Sequence, residues 1–311
     1  MLLHDHPDFI DFIRIIAQER GIREAIIEKD YWVTHVLHNL RKSEFKDVFI
    51  FKGGTSLSKG WNLIDRFSED IDLLLVAAGR GELGTKAKKT QMKKIQELVS
   101  GIPGLSFDEG NADNRAGNES RTSCFKYDAR ATEEFGSLLP YIKLEMGYRG
   151  GDEPQELRRI QSFVGDALEK KGQQALAENV SGVEMPLLHP KRTLVEKLFA
   201  LFSAYESGKI AGKTRHYYDV YRLLALEDVT AFLGTKEYVA LKASVAQFSR
   251  ENWPDSPLPE GEKLKGAAAL NPSGALRSQI EQEYTQSDIY YGKKPSFNEI
   301  VDRIKKYWDR F

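Results

Sequence analysis

Residues 51–76 constrain the fold more than any other stretch, because they combine a glycine turn with two closely spaced aspartates. Residues 48–51 form a short apolar run rich in residues that favour β-strands. Gly53 and Gly54 then interrupt the run, and the residues that follow are good caps for a helix. The sequence therefore predicts a strand, a tight turn and a helix that runs toward Ile64.

The predicted turn suits an anion. The first N–H groups of a helix have no partner inside the helix, and the helix dipole is positive at this end, which favours phosphate. A Gly-Gly pair after a strand is also a common plain turn, so this motif alone does not decide the function. The predicted nucleotide-binding residues are Gly53, Gly54, Thr55 and Ser56, with Lys59 one helical turn further on to neutralise the phosphates.

Asp70 and Asp72 open the next apolar run, residues 73–76, which predicts a buried strand. Because side chains alternate along a strand, both carboxylates lie on the same face. They repel each other unless a cation lies between them, and Mg²⁺ prefers such hard oxygen ligands. Asp-x-Asp is equally common at a solvated strand end, but next to a phosphate-binding turn it indicates phosphoryl or nucleotidyl transfer.

The two motifs, Gly53-Gly54-Thr55-Ser56 and Ser68-Glu69-Asp70-Ile71-Asp72, resemble the signature of the DNA polymerase β-like nucleotidyltransferase superfamily. More closely, they resemble the AbiEii/AbiGii abortive-infection toxin family. The resemblance implies an α+β fold. Residues 1–190 would form the nucleotidyltransferase domain, a mixed sheet flanked by helices, and residues 191–311 a mainly helical C-terminal lobe that closes over it.

Residues 141–147 alternate in polarity, with Lys143 and Glu145 on the polar face of a predicted strand. On spacing alone this face simply meets water. The resemblance places Glu145 where nucleotidyltransferases carry a third carboxylate, which acts as a metal ligand or as a base for the attacking hydroxyl. Lys143, on the same face, could contact a phosphate.

Lys197 borders the apolar stripe of a helix that Thr193 and Glu196 are predicted to start as a capping box. A lysine in this position can extend its ammonium group to the surface. The resemblance instead implicates Lys197 in the active site, where it would reach into the cleft between the domains and neutralise the triphosphate.

Asp219 lies in residues 213–223, a basic and aromatic stretch that resembles the next motif of the family. The resemblance implies that Asp219 orients Lys197 or contacts the nucleotide. Family members often carry Arg-Asp directly after a lysine, whereas here Arg215-His216-Tyr217 intervenes. The alternative is a surface salt bridge from Asp219 to Arg222 or Arg215.

Several stretches have plain structural interpretations. Residues 28–33 (Glu-Lys-Asp-Tyr-Trp-Val) resemble a family string, yet they predict an amphipathic helix with Glu and Lys facing water. His35 and His38 on the same helix are expected at the surface, and residues 156–171 are predicted as a charged helix. The lysine-rich residues 79–94 predict either a solvated loop running into a helix or a basic patch for RNA beside the active site.

Composition narrows the class of protein. The 311 residues contain 45 Lys and Arg and 46 Asp and Glu, so the chain has no overall positive charge that would indicate nucleic-acid binding. A single cysteine, Cys124, excludes an intrachain disulfide and a cysteine-rich zinc site. We see no signal peptide and no apolar run long enough to cross a bilayer, and we expect a cytoplasmic protein.

Together these features predict a Mg²⁺-dependent nucleotidyltransferase in which an acceptor hydroxyl attacks the α-phosphate of an NTP and pyrophosphate leaves. Asp70 and Asp72 are the predicted metal ligands, and Glu145, Lys197 and Asp219 complete the predicted catalytic set. A metal-dependent phosphohydrolase and a non-catalytic nucleotide-sensing module are the alternatives.

The resemblance also implies a biological role. Members of the AbiEii-like family are toxins of bacterial toxin–antitoxin or phage-defence pairs, usually encoded beside an antitoxin of the transcriptional-regulator type. Some relatives transfer nucleotides to the 3′ end of tRNA and block translation, so tRNA is the expected acceptor.

Overall fold

The computed structural model describes residues 1–68, 70–76, 83–113, 119–131, 136, 138–259 and 264–311. The chain divides into two compact units. The first unit comprises Met1–Asn62 and Arg66–Leu187, and the second comprises Leu63–Asp65 and Leu188–Phe311. The assignment of a catalytic domain to residues 1–190 and a helical lobe to residues 191–311 stays a prediction.

A mixed seven-stranded sheet runs through the first unit in the order β3-β4-β5-β2-β1-β7-β6. Strand β2 pairs antiparallel with β1 and parallel with β5, which places it near the middle of the sheet. The strands are β1 (Phe49–Lys52), β2 (Asp70–Leu75), β3 (Leu105–Phe107), β4 (Ser120–Tyr127), β5 (Ile142–Gly147), β6 (Gln155–Ile160) and β7 (Val183–Leu188).

Helices flank the sheet and make up most of the second unit. Those of the first unit are α1 (Phe9–Arg20), α2 (Glu24–Lys42), α3 (Gly53–Lys59), α4 (Thr85–Ser100) and α5 (Phe163–Lys170). Those of the second unit are α6 (Pro190–Glu206), α7 (Thr214–Leu223), α8 (Glu227–Phe232), α9 (Lys236–Asn252), α10 (Gly274–Gln286) and α11 (Phe297–Lys306). No helix among the described residues is long and apolar enough to cross a membrane.

The two faces of the sheet differ in chemistry. Ile142, Leu144 and Met146 of β5 are buried on one face, where α2 packs against the strand. Helix α4 lies on this same face, because its Gln96 accepts hydrogen bonds from two β4 side chains that share the face with Leu144. The opposite face carries the polar side chains of β2 and β5, among them the predicted metal ligands Asp70 and Asp72.

Three predicted elements differ from the structure. Residues 156–171 are not one helix: they form edge strand β6 followed by α5. Helix α6 begins at Pro190, three residues before the predicted capping box, because His189 caps it and a proline is preorganised at the first helical position. Helix α3 ends at Lys59, before it reaches Ile64, and Gly60 follows it.

The charged residues near the start of α2 do not face water, contrary to the prediction. Glu28, Lys29 and Asp30 are all at least 96% buried. Both carboxylate oxygens of Glu28 accept backbone N–H groups, from Arg130 and Ala131, at 2.8 Å. The ammonium group of Lys29 donates to the carbonyl of Leu139. Helix α2 therefore binds the backbone of Arg130, Ala131 and Leu139 through buried charged side chains.

The predicted surface histidines are also buried. His35 is 2% exposed and His38 is 6% exposed. Asn179 lies 3.0 Å from Nδ1 of His35 and donates to the hydroxyl of Tyr31 at 2.6 Å, so a polar network sits inside the core beside α2. Burial lowers the pKa of His35 to about 4, because it disfavours the charged imidazolium.

Candidate active site

Strands β1 and β2 bring the glycine turn against the aspartates. Lys52, the last residue of β1, is paired in register with Asp72 of β2. Gly53 follows with φ of +79°, a conformation that L side chains rarely adopt. A β-carbon added to Gly53 would lie 1.9 Å from Oδ2 of Asp72. Glycine is therefore needed here for two reasons, the backbone conformation and the close approach of the Asp72 carboxylate.

Gly54, the second glycine, lies against the side chains of Arg66 and Ser68. A β-carbon added to Gly54 would lie 2.7 Å from Nη2 of Arg66 and 2.7 Å from Oγ of Ser68. Arg66 is 2% exposed, so a buried guanidinium lies directly behind the turn. Because neither glycine has a side chain, the backbone fits between the Asp72 carboxylate on one side and the Arg66 guanidinium on the other.

The hydroxyl groups of Thr55 and Ser56 fasten the turn itself. The Thr55 hydroxyl lies 2.5 Å from the carbonyl oxygen of Asp70 and 3.1 Å from that of Ser68, so it ties α3 to the start of β2. The Ser56 hydroxyl donates to the carbonyl of Gly53 at 3.0 Å. Both side chains are buried. The groups of this turn that suit an anion are then the backbone N–H groups, since the N-cap residue of α3 makes no side-chain cap.

Lys59 does not point toward a nucleotide site. Its ammonium group pairs with Oδ1 of Asp30 on α2, and each of the two side chains is 5% exposed. The other oxygen of Asp30 accepts the N–H of Phe163 at the start of α5, at 2.8 Å. Through Asp30, Lys59 thus links α3 to α2 and α5. It is therefore no longer proposed to bind the nucleotide.

The aspartates share their sheet face with the polar residues of β5. In the register of β2 and β5, Asp70 lies beside Lys143 and Asp72 lies beside Glu145. The Lys143 ammonium contacts Glu145 and lies 3.7 Å from Oδ1 of Asp70. Burial alone would lower the pKa of Lys143, but the bond to Glu145 and the charges of both aspartates raise it above its usual value. The lysine therefore stays charged among three carboxylates.

Glu145 is on the predicted face, but its carboxylate is engaged by Lys143 and is 40% exposed. Among the described residues, no group of three or more His, Cys, Asp or Glu side chains is arranged to hold a metal ion. The role of Glu145 as a third ligand or as a base stays a prediction.

Asp70 and Asp72 fit a hard divalent cation. Both are partly exposed, while the apolar residues that follow them in β2 are buried, so the carboxylates are held at the surface of a rigid strand. Carboxylate oxygens are the donors that such ions prefer. The space left by the missing side chain of Gly53 is occupied by the Asp72 carboxylate, which therefore lies beside the turn that is predicted to bind phosphate.

Two cations at this site were not among the predicted residues, Lys52 and Arg66. Lys52 lies on the same face as Asp72, because residues directly opposite in an antiparallel pair share a face. The alternation of β1 could have revealed it. Arg66 lies in the irregular segment between α3 and β2, and its position behind Gly54 left no periodic signal in the sequence.

The second unit brings Lys197 and Asp219 together. Nζ of Lys197 lies 2.7 Å from Oδ2 of Asp219, which is fully buried. Nδ1 of His216 is 3.4 Å from the same ammonium nitrogen. Burial and the Lys197 charge hold the pKa of His216 well below its usual value, so the imidazole is neutral. The surface salt bridge proposed for Asp219 is wrong as regards Arg222, which pairs with Asp65.

The lysines of α4 lie on the wrong face for the predicted patch. Helix α4 packs on the sheet face opposite to Asp70 and Asp72, as its bonds to β4 establish. Lys88 pairs with Glu119 at 2.7 Å, and Lys93 lies 3.5 Å from Glu97. The structure therefore favours an ordinary solvated helix; residues 77–82, which precede it, lie outside the described residues.

Comparison with known proteins decides the family. The profile of the family described as "Nucleotidyl transferase AbiEii toxin, Type IV TA system" matches residues 35–303. The chain belongs to this family. It is accordingly a nucleotidyltransferase toxin of a type IV toxin–antitoxin system. Membership implies an NTP substrate and an antitoxin partner, and nucleotidyltransferases of this kind generally use divalent metal ions.

A solved structure supports the fold. The chain is similar to MenT4, a nucleotidyltransferase toxin from Mycobacterium tuberculosis H37Rv, with a TM-score of 0.61 and 15% sequence identity. The similarity covers 95% of this chain and 88% of MenT4. A search of curated protein sequences finds no match. The predicted nucleotidyltransferase fold is confirmed.

Proposed function

We propose that this AbiEii-family protein transfers a nucleoside monophosphate from an NTP to an acceptor hydroxyl in a Mg²⁺-dependent reaction, and that the acceptor is the 3′ end of tRNA. One observation supports the chemistry most directly. The Asp72 carboxylate lies against Gly53, where any other residue would place a β-carbon 1.9 Å away. This contact supports the proposal, because the proposed metal ligand Asp72 lies beside the turn that is proposed to bind phosphate.

The residues of the first unit have distinct roles in this proposal. Asp70 and Asp72 would hold Mg²⁺, which would neutralise phosphate charge and activate the attacking hydroxyl. The backbone N–H groups of residues 54–56 bind the β- and γ-phosphates, and the hydroxyls of Thr55 and Ser56 keep that turn in shape. Lys52, opposite Asp72, adds positive charge on the same face.

Two further predicted residues keep proposed roles. Lys197 carries a positive charge fixed by Asp219, so its ammonium is oriented before a polyphosphate binds, which reduces the entropic cost of binding. Glu145 would serve as a base for the acceptor hydroxyl or as a further metal ligand once Lys143 releases it. Charge stabilisation of this kind is the main contribution that proteins make to phosphoryl and nucleotidyl transfer.

The biological setting follows from the family. A toxin that adds nucleotides to the 3′ end of tRNA would block aminoacylation and so stop translation. We propose that its antitoxin is a protein of the transcriptional-regulator type encoded alongside it, that the pair acts in abortive infection against phage, and that the toxin acts in the cytoplasm, where NTPs and tRNA are found.

The test is transfer of label to RNA. Purified protein is incubated with total tRNA, Mg²⁺ and each of the four α-³²P-labelled NTPs in turn. We expect one NTP to label RNA and Asp72→Ala to abolish the labelling, while Asp47→Ala, which removes a surface carboxylate 3.3 Å from Arg41, leaves it unchanged.

Other outcomes would replace parts of the proposal. Label on the protein itself would mean that the acceptor is the protein and not tRNA. Release of labelled nucleotide without transfer would indicate a phosphohydrolase. Tight NTP binding without turnover would indicate a sensing module.

A further inference from the structure

Lys143 is an unusual residue for a face that is proposed to bind metal. It lies beside Asp70 in the register of β2 and β5, and its ammonium group contacts Glu145 and approaches Asp70. Its side chain is 28% exposed and that of Asp70 is 17% exposed, so water screens the contacts only in part. The ammonium therefore occupies the region from which a cation would approach two of the three carboxylates.

The negative charge of this sheet face explains why a lysine lies among the carboxylates. Asp70, Asp72 and Glu145 place three negative charges on neighbouring positions of two paired strands. Such charges destabilise the sheet unless they are compensated. Lys143 supplies one positive charge from the same strand as Glu145, and Lys52 supplies another opposite Asp72, so the face is partly neutralised by the protein itself.

We propose that Lys143 is an internal counter-ion that opposes metal binding until a nucleotide arrives, so that metal and NTP bind together. This inference rests on the proposed function. A divalent cation at Asp70 would meet a like charge a few ångströms away, and water screens the repulsion at that distance only in part. The triphosphate of an incoming NTP offers the ammonium new anionic partners. Lys143 then leaves Glu145, which becomes available to the acceptor or to the metal.

The consequence is a protein that holds little metal when no nucleotide is present. Lys143 is a positioning residue in this scheme, because it acts through the carboxylates and through the order in which ligands bind. Its removal should have two opposite effects. Metal should bind more tightly to the nucleotide-free protein, whereas the NTP should bind less tightly because its phosphates lose a cation.

The experiment measures Mn²⁺ binding to the nucleotide-free protein by electron paramagnetic resonance. We expect Lys143→Met to bind Mn²⁺ roughly tenfold or more tightly than the unmodified protein, because one unit of opposing charge is removed. Lys143→Gln should behave in the same way and serves as a second neutral variant, whereas Lys143→Arg should restore weak binding.

Lys126→Met is the matched control. It removes a lysine two residues along β4 from Cys124, the cross-strand neighbour of Lys143, so it lies on the same face. Lys126 is 3.6 Å from Asp108 and 64% exposed, and its removal should leave Mn²⁺ binding unchanged.

A second readout is kinetic. With total tRNA as acceptor, the Mn²⁺ concentration for half-maximal transfer should fall in Lys143→Gln while the KM for NTP rises. If the substitution merely disturbed the structure, the protein would bind both Mn²⁺ and NTP more weakly. Equal Mn²⁺ affinity in the unmodified protein and both neutral variants would overturn the inference while transfer activity still supported the proposed function. Absence of transfer in the unmodified protein, together with absence of Mn²⁺ binding in both neutral variants, would overturn both.

Discussion

Asp30→Ala should destabilise the first unit far more than the loss of one carboxylate at the surface would. Asp30 and Lys59 form an ion pair in which each side chain is 5% exposed, and Asp30 also accepts the N–H of Phe163. Removing one member of a buried pair leaves an uncompensated charge and costs about 3–5 kcal/mol. The lost bond to Phe163 adds about 1–2 kcal/mol, and because neighbouring effects add incompletely we expect about 4–6 kcal/mol in total.

Native-state hydrogen exchange is the appropriate assay, since a chain of two units need not unfold in a single transition. Amides of α3 and α5 should exchange roughly a thousandfold faster in Asp30→Ala, which corresponds to about 4 kcal/mol. The double variant Asp30→Leu/Lys59→Met removes both charges and should recover most of the protection. Asp11→Ala, which breaks an exposed pair with Arg14 at 3.4 Å, should cost less than about 1 kcal/mol.

Two results would contradict a charge effect at Asp30. One is equal protection in Asp30→Ala and Asp11→Ala, which would mean that the buried pair contributes no more than an exposed one. The other is a double variant that is less protected than Asp30→Ala, which would mean that packing and not charge controls this junction.

Three further predictions concern the site and the core. Asp72→Ala should abolish nucleotide transfer without lowering the melting temperature measured by circular dichroism, because the carboxylate is partly exposed; full activity would contradict the assignment. Gly53→Ala should slow transfer by about a hundredfold by displacing Asp72, whereas Gly21→Ala, which has a similar positive φ but no neighbour within 4 Å, should leave the rate unchanged. Lowering the pH should reduce the free energy of unfolding through His35. The pKa of His35 is about 4 in the folded protein and 6.5 in the unfolded chain, so as the pH falls the unfolded chain binds the proton first. Stability should be unaffected above pH 6.5 and fall by about 3 kcal/mol as the pH drops toward 4, which urea unfolding at pH 7 and pH 5 would detect; an equal midpoint at both pH values would contradict it.

The parts of the fold that sequence predicted well are those with local signals. The glycine turn, the strand of Asp70 and Asp72 and the alternating strand around Glu145 each carry a pattern within a few residues, and β1, β2 and β5 match them. Strand β6 was missed because it lies at the sheet edge, where five of its six side chains are not buried and no apolar alternation is required.

The site was harder to predict where partners are distant in the chain. Lys59 follows the predicted phosphate-binding turn by one helical turn, which made it a reasonable candidate phosphate ligand, yet its partner Asp30 lies 29 residues earlier. The carboxylate of Glu28 bonds to N–H groups 102 and 103 residues away. No local pattern predicts such contacts, because burial of a charge depends on which distant group meets it.

We propose that the α-phosphate of an NTP is transferred and pyrophosphate is released at Asp70 and Asp72. The most direct measurement compares α-³²P- and γ-³²P-labelled forms of the preferred NTP with total tRNA and Mg²⁺. We predict that the α-label enters RNA while the γ-label appears only in pyrophosphate, and that Asp72→Asn abolishes both events. Entry of the γ-label into RNA, or release of the γ-label as inorganic phosphate, would contradict nucleotidyl transfer at this site.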